Sequence, residues 1–307
     1  MRIFLTGATG YVGSAVLDAL LKAGHQITAL VRDSEKAARV SAKGASPVIG
    51  DLARPESYRA QADAQDGYVH TAFDLASDDA ALDRTTVEAL LAAARRPRGS
   101  GGAAAPARFV IYTSALWVVG SAPKPLDESA PTHPLALGRW RVDIERELLD
   151  AAGDQLRTAV VRPGLVYGGS SDGLVGELLK SAANGLVRVI GDGTNRWPLV
   201  YHRDLADLIA RVASRQDASG VFHANDEGDE RVNDIIAALS PHLAHRPDVR
   251  HVPIEEARTK MGLLADALAV DQVIRSPRSR ALGWTPGLRS LGGNAARVLE
   301  EWRAARA

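Results

Sequence analysis

The amino terminus decides the fold, and it reads Arg2-Ile3-Phe4-Leu5-Thr6-Gly7-Ala8-Thr9-Gly10-Tyr11-Val12-Gly13. Its first residues form a short apolar run of the kind that makes a buried strand. Glycines follow at positions 7, 10 and 13, and Ser14–Ala23 then carries apolar residues at helical spacing. This pattern predicts a strand, a glycine-rich turn and a helix. Gly24 ends the helix and Gln26–Val31 predicts a second parallel strand, which completes a βαβ unit.

The three glycines, Gly7, Gly10 and Gly13, suit the binding of a pyrophosphate. They permit a tight turn, a close approach of backbone N–H groups to the phosphates, and close packing of the helix on the strand. The amino terminus of the helix also favours an anion. The glycine spacing alone is a weak signal. Its position between a strand and a helix, in the first βαβ unit, indicates a dinucleotide cofactor.

The end of the second strand bears on which dinucleotide binds. NAD requires an acidic residue there, about 20 residues after the turn, to accept from the ribose 2′-hydroxyl. Here Arg32 precedes Asp33, and a guanidinium can instead pair with a 2′-phosphate. NADP(H) is therefore favoured over NAD(H); alternatively, Arg32 is a solvated strand-end residue and Asp33 binds the ribose. After the third predicted strand, Asp51 is either an acceptor for the adenine amino group or a plain turn residue.

Strand-like runs and helical stretches alternate as far as about Gly168, which predicts an α/β fold with a Rossmann-like, doubly wound parallel sheet. The later, shorter elements predict a smaller, interleaved carboxy-terminal substrate region. The expected domains are a dinucleotide-binding domain at 1–167, to which 199–224 returns, and a mainly substrate-binding region at 168–307. The basic, then Gly/Ala-rich segment 95–106 predicts a mobile surface loop. Further predicted strands are Pro47–Ile49, Gly67–Thr71, Phe109–Thr113 and Thr158–Arg162, and further predicted helices are Ala80–Ala94, Arg141–Ala151, Leu174–Asn184 and Asp204–Ser214.

Composition excludes several classes of function. The 307 residues are 46% hydrophobic, which suffices for a large core, and 37 Lys and Arg balance 37 Asp and Glu. Without net charge there is no basic surface for nucleic acid or an anionic membrane, so neither partner is expected. The absence of cysteine excludes disulfides, thiol nucleophiles and Cys-ligated metals, and we expect no metal site. The apolar run Val12–Leu21 is too short to span a bilayer, and a cytoplasmic location is the expectation.

Six segments in order, at 6–13, 50–52, 68–72, 110–114, 162–168 and 201–206, resemble the extended short-chain dehydrogenases/reductases of the epimerase/dehydratase type. The resemblance extends from residue 1 to about 286. It implies a nicotinamide dinucleotide and a substrate cleft formed with the carboxy-terminal part. The further cofactor contacts that it implies are Thr9, Tyr11, Val12, Leu52, Thr71, Ala72, Phe73, Thr113, Arg141, Pro163, Gly164 and Val166. The residues that it places around the substrate pocket, each alternatively a core residue, are Trp117, Trp140, Trp197, Tyr201 and His202.

The catalytic pair of that family is missing. The family has a Tyr with a Lys four residues later, and none of the six tyrosines here has a Lys at that spacing. Alignment on the segment 145–149, which resembles the helix after that Lys, puts Leu137 at the Tyr position and Arg141 at the Lys position. The chain therefore resembles the atypical branch, in which a basic residue replaces the Lys and no catalytic Tyr remains.

Three side chains are candidates for catalysis under this resemblance. Arg141 can supply a fixed charge and hydrogen bonds to the ribose, but a guanidinium cannot relay protons. Ser114 is the candidate hydroxyl, although counting back from Gly120 puts Ala115 at that place. His133 is the candidate proton donor, since imidazole titrates near neutral pH. The structural alternatives are a surface charge for Arg141, a backbone-satisfied hydroxyl for Ser114 and an exposed loop histidine for His133.

These observations predict an NADP(H)-dependent oxidoreductase that moves hydride between nicotinamide and a small carbonyl or alcohol substrate. Two alternatives stay open. One is an NADP(H)-binding regulator or sensor without turnover, which the loss of the Tyr favours. The other is a sugar-nucleotide epimerase or dehydratase, which is disfavoured because such enzymes normally need the Tyr and commonly hold NAD. A homodimer is one possible assembly.

Overall fold

The computed structural model describes residues 1–73, 79–97, 106–170 and 172–306. Of the predicted loop 95–106, residues 98–105 lie outside this description. The strands are β1 (Arg2–Thr6), β2 (Gln26–Val31), β3 (Ser46–Ile49), β4 (Gly67–His70), β5 (Arg108–Thr113), β6 (Ala122–Leu126), β7 (Leu156–Pro163), β8 (Leu165–Tyr167), β9 (Leu186–Ile190), β10 (Leu199–Tyr201), β11 (Gly220–Ala224), β12 (Asp248–Val252) and β13 (Gln272–Ile274). The helices are α1 (Tyr11–Lys22), α2 (Ser34–Ala42), α3 (Arg59–Asp63), α4 (Asp79–Ala94), α5 (Arg139–Asp150), α6 (Gly173–Ala183), α7 (His202–Ser214), α8 (Val232–Leu239), α9 (Ile254–Met261), α10 (Leu264–Ala269), α11 (Pro277–Ala281) and α12 (Ala295–Ala304).

The described chain divides into two compact units, of which the first comprises 1–114, 143–161 and 206–222. It carries a seven-stranded sheet in the order β3-β2-β1-β4-β5-β7-β11. Neighbouring strands pair in parallel; Leu5, for example, lies opposite Ala29 on one side and Val69 on the other. The predicted doubly wound α/β fold is confirmed. The strand order reverses between β1 and β4, and ligands of such sheets bind at the carboxyl ends of the strands at this switch point.

The inner strands of this sheet are largely apolar and buried, as expected where helices cover both faces. Ile3, Phe4 and Leu5 of β1 are fully buried. Two arginines in these strands cap helices: Arg108 of β5 donates to the carbonyl of Ala93, at the end of α4, at 3.2 Å. Arg157 of β7 donates in the same way to carbonyls at the end of α7. Two buried cations thereby satisfy carbonyls that helix ends leave unpaired.

The second unit comprises 115–142, 162–205 and 223–307. Its strands form three parallel pairs, β8 with β10, β9 with β12 and β6 with β13. Helices α6, α8 and α12 contribute most of its largest apolar core. Within the glycine-punctuated segment 185–195, in which the sequence indicates no strand, Leu186–Ile190 is a strand whose partner, β12, lies about sixty residues further on. Within the described residues, no helix is long and apolar enough to cross a membrane.

Candidate functional site

The glycine-rich turn follows β1 at the switch point, and two of its glycines are required by the fold itself. Gly7 has a φ of +78°, and a Cβ there would lie 2.6 Å from the backbone nitrogen of Ala72. A Cβ at Gly13 would lie 2.0 Å from the carbonyl oxygen of Gly7. Real Cβ atoms do not approach backbone so closely. Helix α1, the turn and the end of β4 can therefore pack together only with glycine at both positions.

Gly10 is under no such constraint. Its φ is −80°, and the nearest atom to a Cβ there is the Gly7 oxygen at 3.3 Å. Gly10 also begins α1 without a side-chain cap, and the first turn of the helix has no acidic residue. The Gly10 cap thus brings no side-chain acceptor to the start of α1, and its first turn brings no negative charge against the positive end of the helix dipole. These residues fit a dinucleotide pyrophosphate, with Gly10 leaving room for it.

At the end of β2, Asp33 is already engaged. Its carboxylate caps α2: Oδ1 accepts from the Lys36 backbone N–H at 2.8 Å and Oδ2 from the Lys36 Nζ at 2.6 Å. The hydrogen bond from the Lys36 side chain, followed by that from its backbone, lowers the pKa of Asp33. The neighbouring Arg32 is exposed, and its guanidinium makes no hydrogen bond or ion pair with any other described residue. The acidic group that NAD would use is committed, and the cation beside it is available.

The other cofactor residues predicted in this unit lie at the carboxyl ends of neighbouring strands. Asp51 follows β3 and closes a turn, because its Oδ1 accepts from the Ala53 N–H at 3.0 Å. Thr71 follows β4, and its hydroxyl donates to the Thr6 carbonyl at 2.8 Å. Phe73 is 49% exposed although it is large and apolar. The remaining predicted cofactor residues of this unit lie on the same edge of the sheet, in the turn, at the start of α1 or next to strand ends. They are Thr9, Tyr11, Val12, Leu52, Ala72 and Thr113.

Ser114 directly follows β5 on the same edge. Its N–H donates to the Val161 carbonyl at 2.8 Å. Its hydroxyl is buried and has no hydrogen-bond partner within the described part of the chain. Since a buried polar group without a partner costs about 1–3 kcal/mol, such a hydroxyl calls for an explanation, and a ligand oxygen would supply one.

The remaining catalytic candidates belong to the second unit. Arg141 is buried in the first turn of α5, with its guanidinium 4.3 Å from the centre of the Trp140 ring, a cation–π contact. Leu137 lies in the 3₁₀ turn that leads into α5. His133 lies in the loop before it; its side chain is exposed and its N–H donates to the Val118 carbonyl at 3.0 Å. The catalytic roles of Arg141 and His133 stay predictions.

The aromatic residues predicted for the substrate pocket are mainly core residues of the second unit. Trp197 is buried and donates through Nε1 to the Leu268 carbonyl at 2.9 Å. Tyr201 is buried and donates to a Glu301 carboxylate oxygen at 2.9 Å. The His202 ring packs edge-on against it, and burial lowers the pKa of that imidazole. Trp117 is partly buried against the same core. Their role in a pocket stays a prediction.

Three predicted cofactor residues, Pro163, Gly164 and Val166, lie where β7 ends and β8 begins. Gly164 is held on both sides. Its N–H donates to the Ala224 carbonyl at 3.0 Å, and a Cβ on it would lie 2.1 Å from the Pro198 carbonyl oxygen. This glycine is needed for backbone packing within the second unit, whether or not a cofactor contacts it.

Sequence reasoning missed two buried polar groups. One surrounds His70, which lies in the segment 68–72 that carries the resemblance but to which the sequence assigned no role. The other surrounds Asp226 in the second unit, where the carboxylate accepts from the Gly228 N–H at 2.9 Å and from the Tyr167 hydroxyl at 3.3 Å. Burial raises the pKa of Asp226 to about 7, opposed by the Gly228 hydrogen bond and assisted by the negative charge of Glu230. Its signal, one Asp in a run of acidic residues after a strand, is not specific.

The sequence profile of the NAD dependent epimerase/dehydratase family matches residues 3–224. The chain belongs to this family. Over 93% of this epimerase/dehydratase-family chain and 95% of the relative, it is 32% identical to Uncharacterized protein C2A9.02 of Schizosaccharomyces pombe. It is 27% identical to the 4-hydroxy-2-methyl-3-oxo-4-farnesyl-3,4-dihydroquinoline-1-oxide ketoreductase of Stigmatella aurantiaca, over 84% of this chain and 78% of that one.

Among solved structures, the fold is similar to human epimerase family protein SDR39U1 (isoform2), whose crystal structure contains NADPH. The TM-score is 0.78 at 19% identity, and the match covers 98% of this chain and 99% of that one. This family member therefore has the fold of the extended short-chain dehydrogenases/reductases, and a nicotinamide dinucleotide is its cofactor class. The similarities support an enzyme of the oxidoreductase or epimerase type.

Proposed function

We propose that this family member is an NADP(H)-dependent oxidoreductase that transfers hydride between nicotinamide and a small carbonyl or alcohol substrate. The observation that carries the proposal is the pair at the end of β2. Asp33 is committed to capping α2, while Arg32 is exposed and without an ion pair among the described residues. A planar guanidinium there favours a 2′-phosphate over a 2′-hydroxyl. The similarity to a ketoreductase favours carbonyl reduction.

When bound, a nicotinamide dinucleotide supplies or accepts the hydride. The turn at Gly7–Gly13 and the amino terminus of α1 hold its pyrophosphate and offset the negative charge. Arg32 holds the 2′-phosphate. Thr71, Ala72 and Phe73, which directly follow β4, border the same site, and the exposed Phe73 ring offers an apolar surface to the cofactor rings.

Ser114 and Arg141 are proposed to act on the substrate oxygen. The buried Ser114 hydroxyl donates a hydrogen bond to that oxygen, and Arg141 contributes a fixed positive charge where negative charge develops. Preorganised donors of this type stabilise a transition state more than the ground state. Because Arg141 keeps its proton, the proton that completes the alcohol comes from another group, and His133 is the proposed donor.

The tyrosines do not supply that proton in this proposal. The hydroxyl of Tyr68 donates to the Ala62 carbonyl, and that of Tyr112 donates to Asp83. Tyr167 and Tyr201 donate to buried or partly buried carboxylates of the second unit. Each of these four hydroxyls is committed to a structural hydrogen bond, which is consistent with a reaction that does not use the family's Tyr.

The proposal is tested by incubating the purified protein with NADPH or NADH and a panel of ketones and aldehydes, while the absorbance of the reduced cofactor is followed. The expected result is carbonyl-dependent consumption of NADPH that exceeds that of NADH. The matched control is Arg32→Ala, which should remove the preference for NADPH while leaving the NADH rate unchanged. Binding of NADPH without turnover across the panel would contradict the oxidoreductase assignment.

A further inference from the structure

A chain of four buried polar side chains lies in the first unit, beneath the glycine-rich turn. His70, the last residue of β4, has Nδ1 2.6 Å from the Thr6 hydroxyl and Nε2 2.9 Å from Asp83 Oδ1. The Tyr112 hydroxyl donates to Asp83 Oδ2 at 2.7 Å. His70 and Tyr112 are opposite each other on β4 and β5, with their rings stacked. The chain thus joins the ends of β1, β4 and β5 to helix α4.

The order of hydroxyl, imidazole and carboxylate resembles that of a nucleophilic triad, but this arrangement cannot act as one. Thr6 has an exposed fraction of 0%, and His70 and Tyr112 are buried as well. A nucleophile must reach its substrate, and this hydroxyl points into the protein's interior. The four groups therefore have a structural role in the part of the fold that surrounds them.

The hydrogen bonds run in a consistent direction. An ionised Asp83 accepts only, so it receives one hydrogen bond from the Tyr112 hydroxyl and one from the Nε2–H of His70. In that tautomer, Nδ1 accepts from the Thr6 hydroxyl. Each of the four side chains then has a hydrogen-bond partner among the other three. Breaking one link leaves a buried donor or acceptor unpaired, which is costly in a region that water does not reach.

Thr6 connects this chain of side chains to the cofactor turn. It is the residue immediately before Gly7, and its carbonyl accepts from both the N–H and the hydroxyl of Thr71, at 3.3 and 2.8 Å. The Thr71 hydroxyl oxygen in turn packs against Gly13, and a Cβ on Gly13 would lie only 2.6 Å from it. The same peptide that His70 fixes through a side chain therefore sets the spacing between β1, the end of β4 and the start of α1.

We propose that His70 is a positioning residue of the dinucleotide site, which acts through Thr6 to hold the turn in the shape that accepts a pyrophosphate. His70 does not touch the cofactor. Its link to Thr6 sets affinity for the dinucleotide, and its link to Asp83 secures helix α4. The proposal depends on a dinucleotide binding at the turn, but it depends neither on the preference for NADP(H) nor on carbonyl reduction.

The first test compares Thr6→Val with Thr6→Ser. Valine keeps the shape of threonine and removes the hydroxyl, whereas serine keeps the hydroxyl. Affinities for NADPH and for NADH are measured by fluorescence titration, and thermal unfolding is measured on the same samples. Thr6→Val should weaken binding of both dinucleotides by about tenfold, because the turn is no longer held in the shape that accepts a pyrophosphate, and Thr6→Ser should restore it. Equal affinities for the two variants would overturn the proposal.

The second test separates the two links of His70. In His70→Asn the side-chain amide takes the place of Nδ1 and can bond to Thr6, whereas in His70→Gln it takes the place of Nε2 and can bond to Asp83. We expect His70→Asn to keep most of the dinucleotide affinity and lose thermal stability. His70→Gln should lose affinity about tenfold and lose less thermal stability than His70→Asn, because a buried hydroxyl that loses its partner costs less than a buried carboxylate that does. The reverse pattern would overturn the proposal.

The matched control is Tyr68→Phe, which removes a buried tyrosine hydrogen bond from the same strand but outside this chain of contacts. It should lower the unfolding temperature without changing affinity for either dinucleotide. If the affinity of every variant instead falls in proportion to its loss of stability, including Tyr68→Phe, His70 is only a structural residue and the proposal is wrong. If the wild-type protein shows no preference for NADPH over NADH while Thr6→Val still weakens the binding of both, the proposed function is contradicted and this inference is supported.

Discussion

The edge of the sheet in the first unit and the core of the second unit both contain side chains that the sequence nominated for function, but they use them differently. At the sheet edge, Gly10 leaves space open, and neither the Arg32 guanidinium nor the Ser114 hydroxyl has a hydrogen-bond partner in the part of the chain that the structure describes. In the second unit, Trp197 and Tyr201 are buried, and their polar atoms are occupied by structural hydrogen bonds. In both regions the residues were chosen for the chemistry of their side chains. Only in the first unit does the structure also leave those side chains available to a ligand.

This difference has a physical origin. In a parallel sheet, all strands end on one edge, so residues just after the strands converge whatever their side chains are. No such rule places aromatic residues that follow short strands in a mixed region, and there an apolar ring is more often buried in the core. The comparison predicts large functional effects at the sheet edge and mainly stability effects in the second unit.

The largest effects are expected at two glycines of the same turn. Gly10→Val should leave the protein folded, because a Cβ there meets only the Gly7 oxygen, at 3.3 Å, which a shift of a few tenths of an ångström relieves, but it should abolish dinucleotide binding. Gly13→Val should destabilise the fold by about 3 kcal/mol, because its Cβ would lie 2.0 Å from a backbone oxygen. Circular dichroism during heating and an NADPH titration on each variant separate the two. Normal NADPH binding by Gly10→Val would show that the turn is only structural.

The next largest effect is expected at Arg141. Substitution of this residue tests whether the second unit contributes to the proposed hydride transfer. Removing one preorganised charge near a developing negative oxygen typically lowers the rate by about 10²–10³. Arg141→Ala should therefore lose nearly all turnover, and Arg141→Lys, which keeps the charge without the planar guanidinium, should keep part of it. Steady-state rates on an identified carbonyl measure both. An unchanged rate for Arg141→Ala would remove this residue from the catalytic group.

A smaller effect is expected at the end of β2. Arg32→Ala should weaken NADPH binding by about tenfold or more, on the order of 1.5–3 kcal/mol, and leave NADH binding unchanged. Asp33→Ala is the matched control, because it removes the cap of α2 and should cost about 1 kcal/mol of stability without changing the preference between cofactors. Fluorescence titrations with both cofactors decide it, and equal loss of NADH and NADPH affinity in Arg32→Ala would contradict the assigned contact.

The smallest effect concerns stability of the second unit and its dependence on pH. The folded pKa of Asp226 is raised to about 7, so the native state binds this proton more tightly than the unfolded chain. The resulting stability is present below the unfolded pKa and is lost as pH rises through about 7. Asp226→Asn should therefore match wild type in stability near pH 4 and become increasingly more stable than wild type as pH rises from 5 to 8.

His223, whose pKa is lowered to about 3 by burial, has the opposite slope: its contribution is present above the unfolded pKa of about 6.5 and is lost as pH falls toward 3. The wild-type curve combines both groups. The measurement is therefore the difference between urea unfolding curves of wild type and Asp226→Asn at each pH. A difference that does not grow between pH 5 and 8 would show that the carboxylate is not protonated in the folded state.

Much of the first unit could be predicted from the sequence because local and tertiary signals agree there. The strand Gln26–Val31 was predicted with its observed bounds, and the turn between β1 and α1 was placed correctly. The helix after it was predicted three residues late, at Ser14. Its actual start at Tyr11 is capped by a glycine and carries no polar side-chain signal. The glycines that mark the cofactor turn thus obscured the helix boundary.

The remaining features depend on distant partners. Strand β9 is defined by its pairing with β12, far along the chain, and its alternating Val-Arg-Val pattern is too short to indicate this. The commitment of Asp33 to Lys36 is local, yet the sequence could not tell whether that carboxylate would cap a helix or bind a ribose. His70 became significant only when Thr6 and Asp83 were found on either side of its ring.

Transfer of deuterium from reduced cofactor to product tests the proposed reaction most directly. The protein is incubated with NADPH that carries deuterium at the transferable nicotinamide position and with the ketone panel, and the alcohols are analysed by mass spectrometry. An oxidoreductase leaves deuterium on the carbinol carbon of the product, at a rate that falls sharply in Gly10→Val and Arg141→Ala. If NADPH binds tightly but keeps its deuterium, and no ketone yields a labelled alcohol, the assignment of this family member as an NADP(H)-dependent oxidoreductase is contradicted.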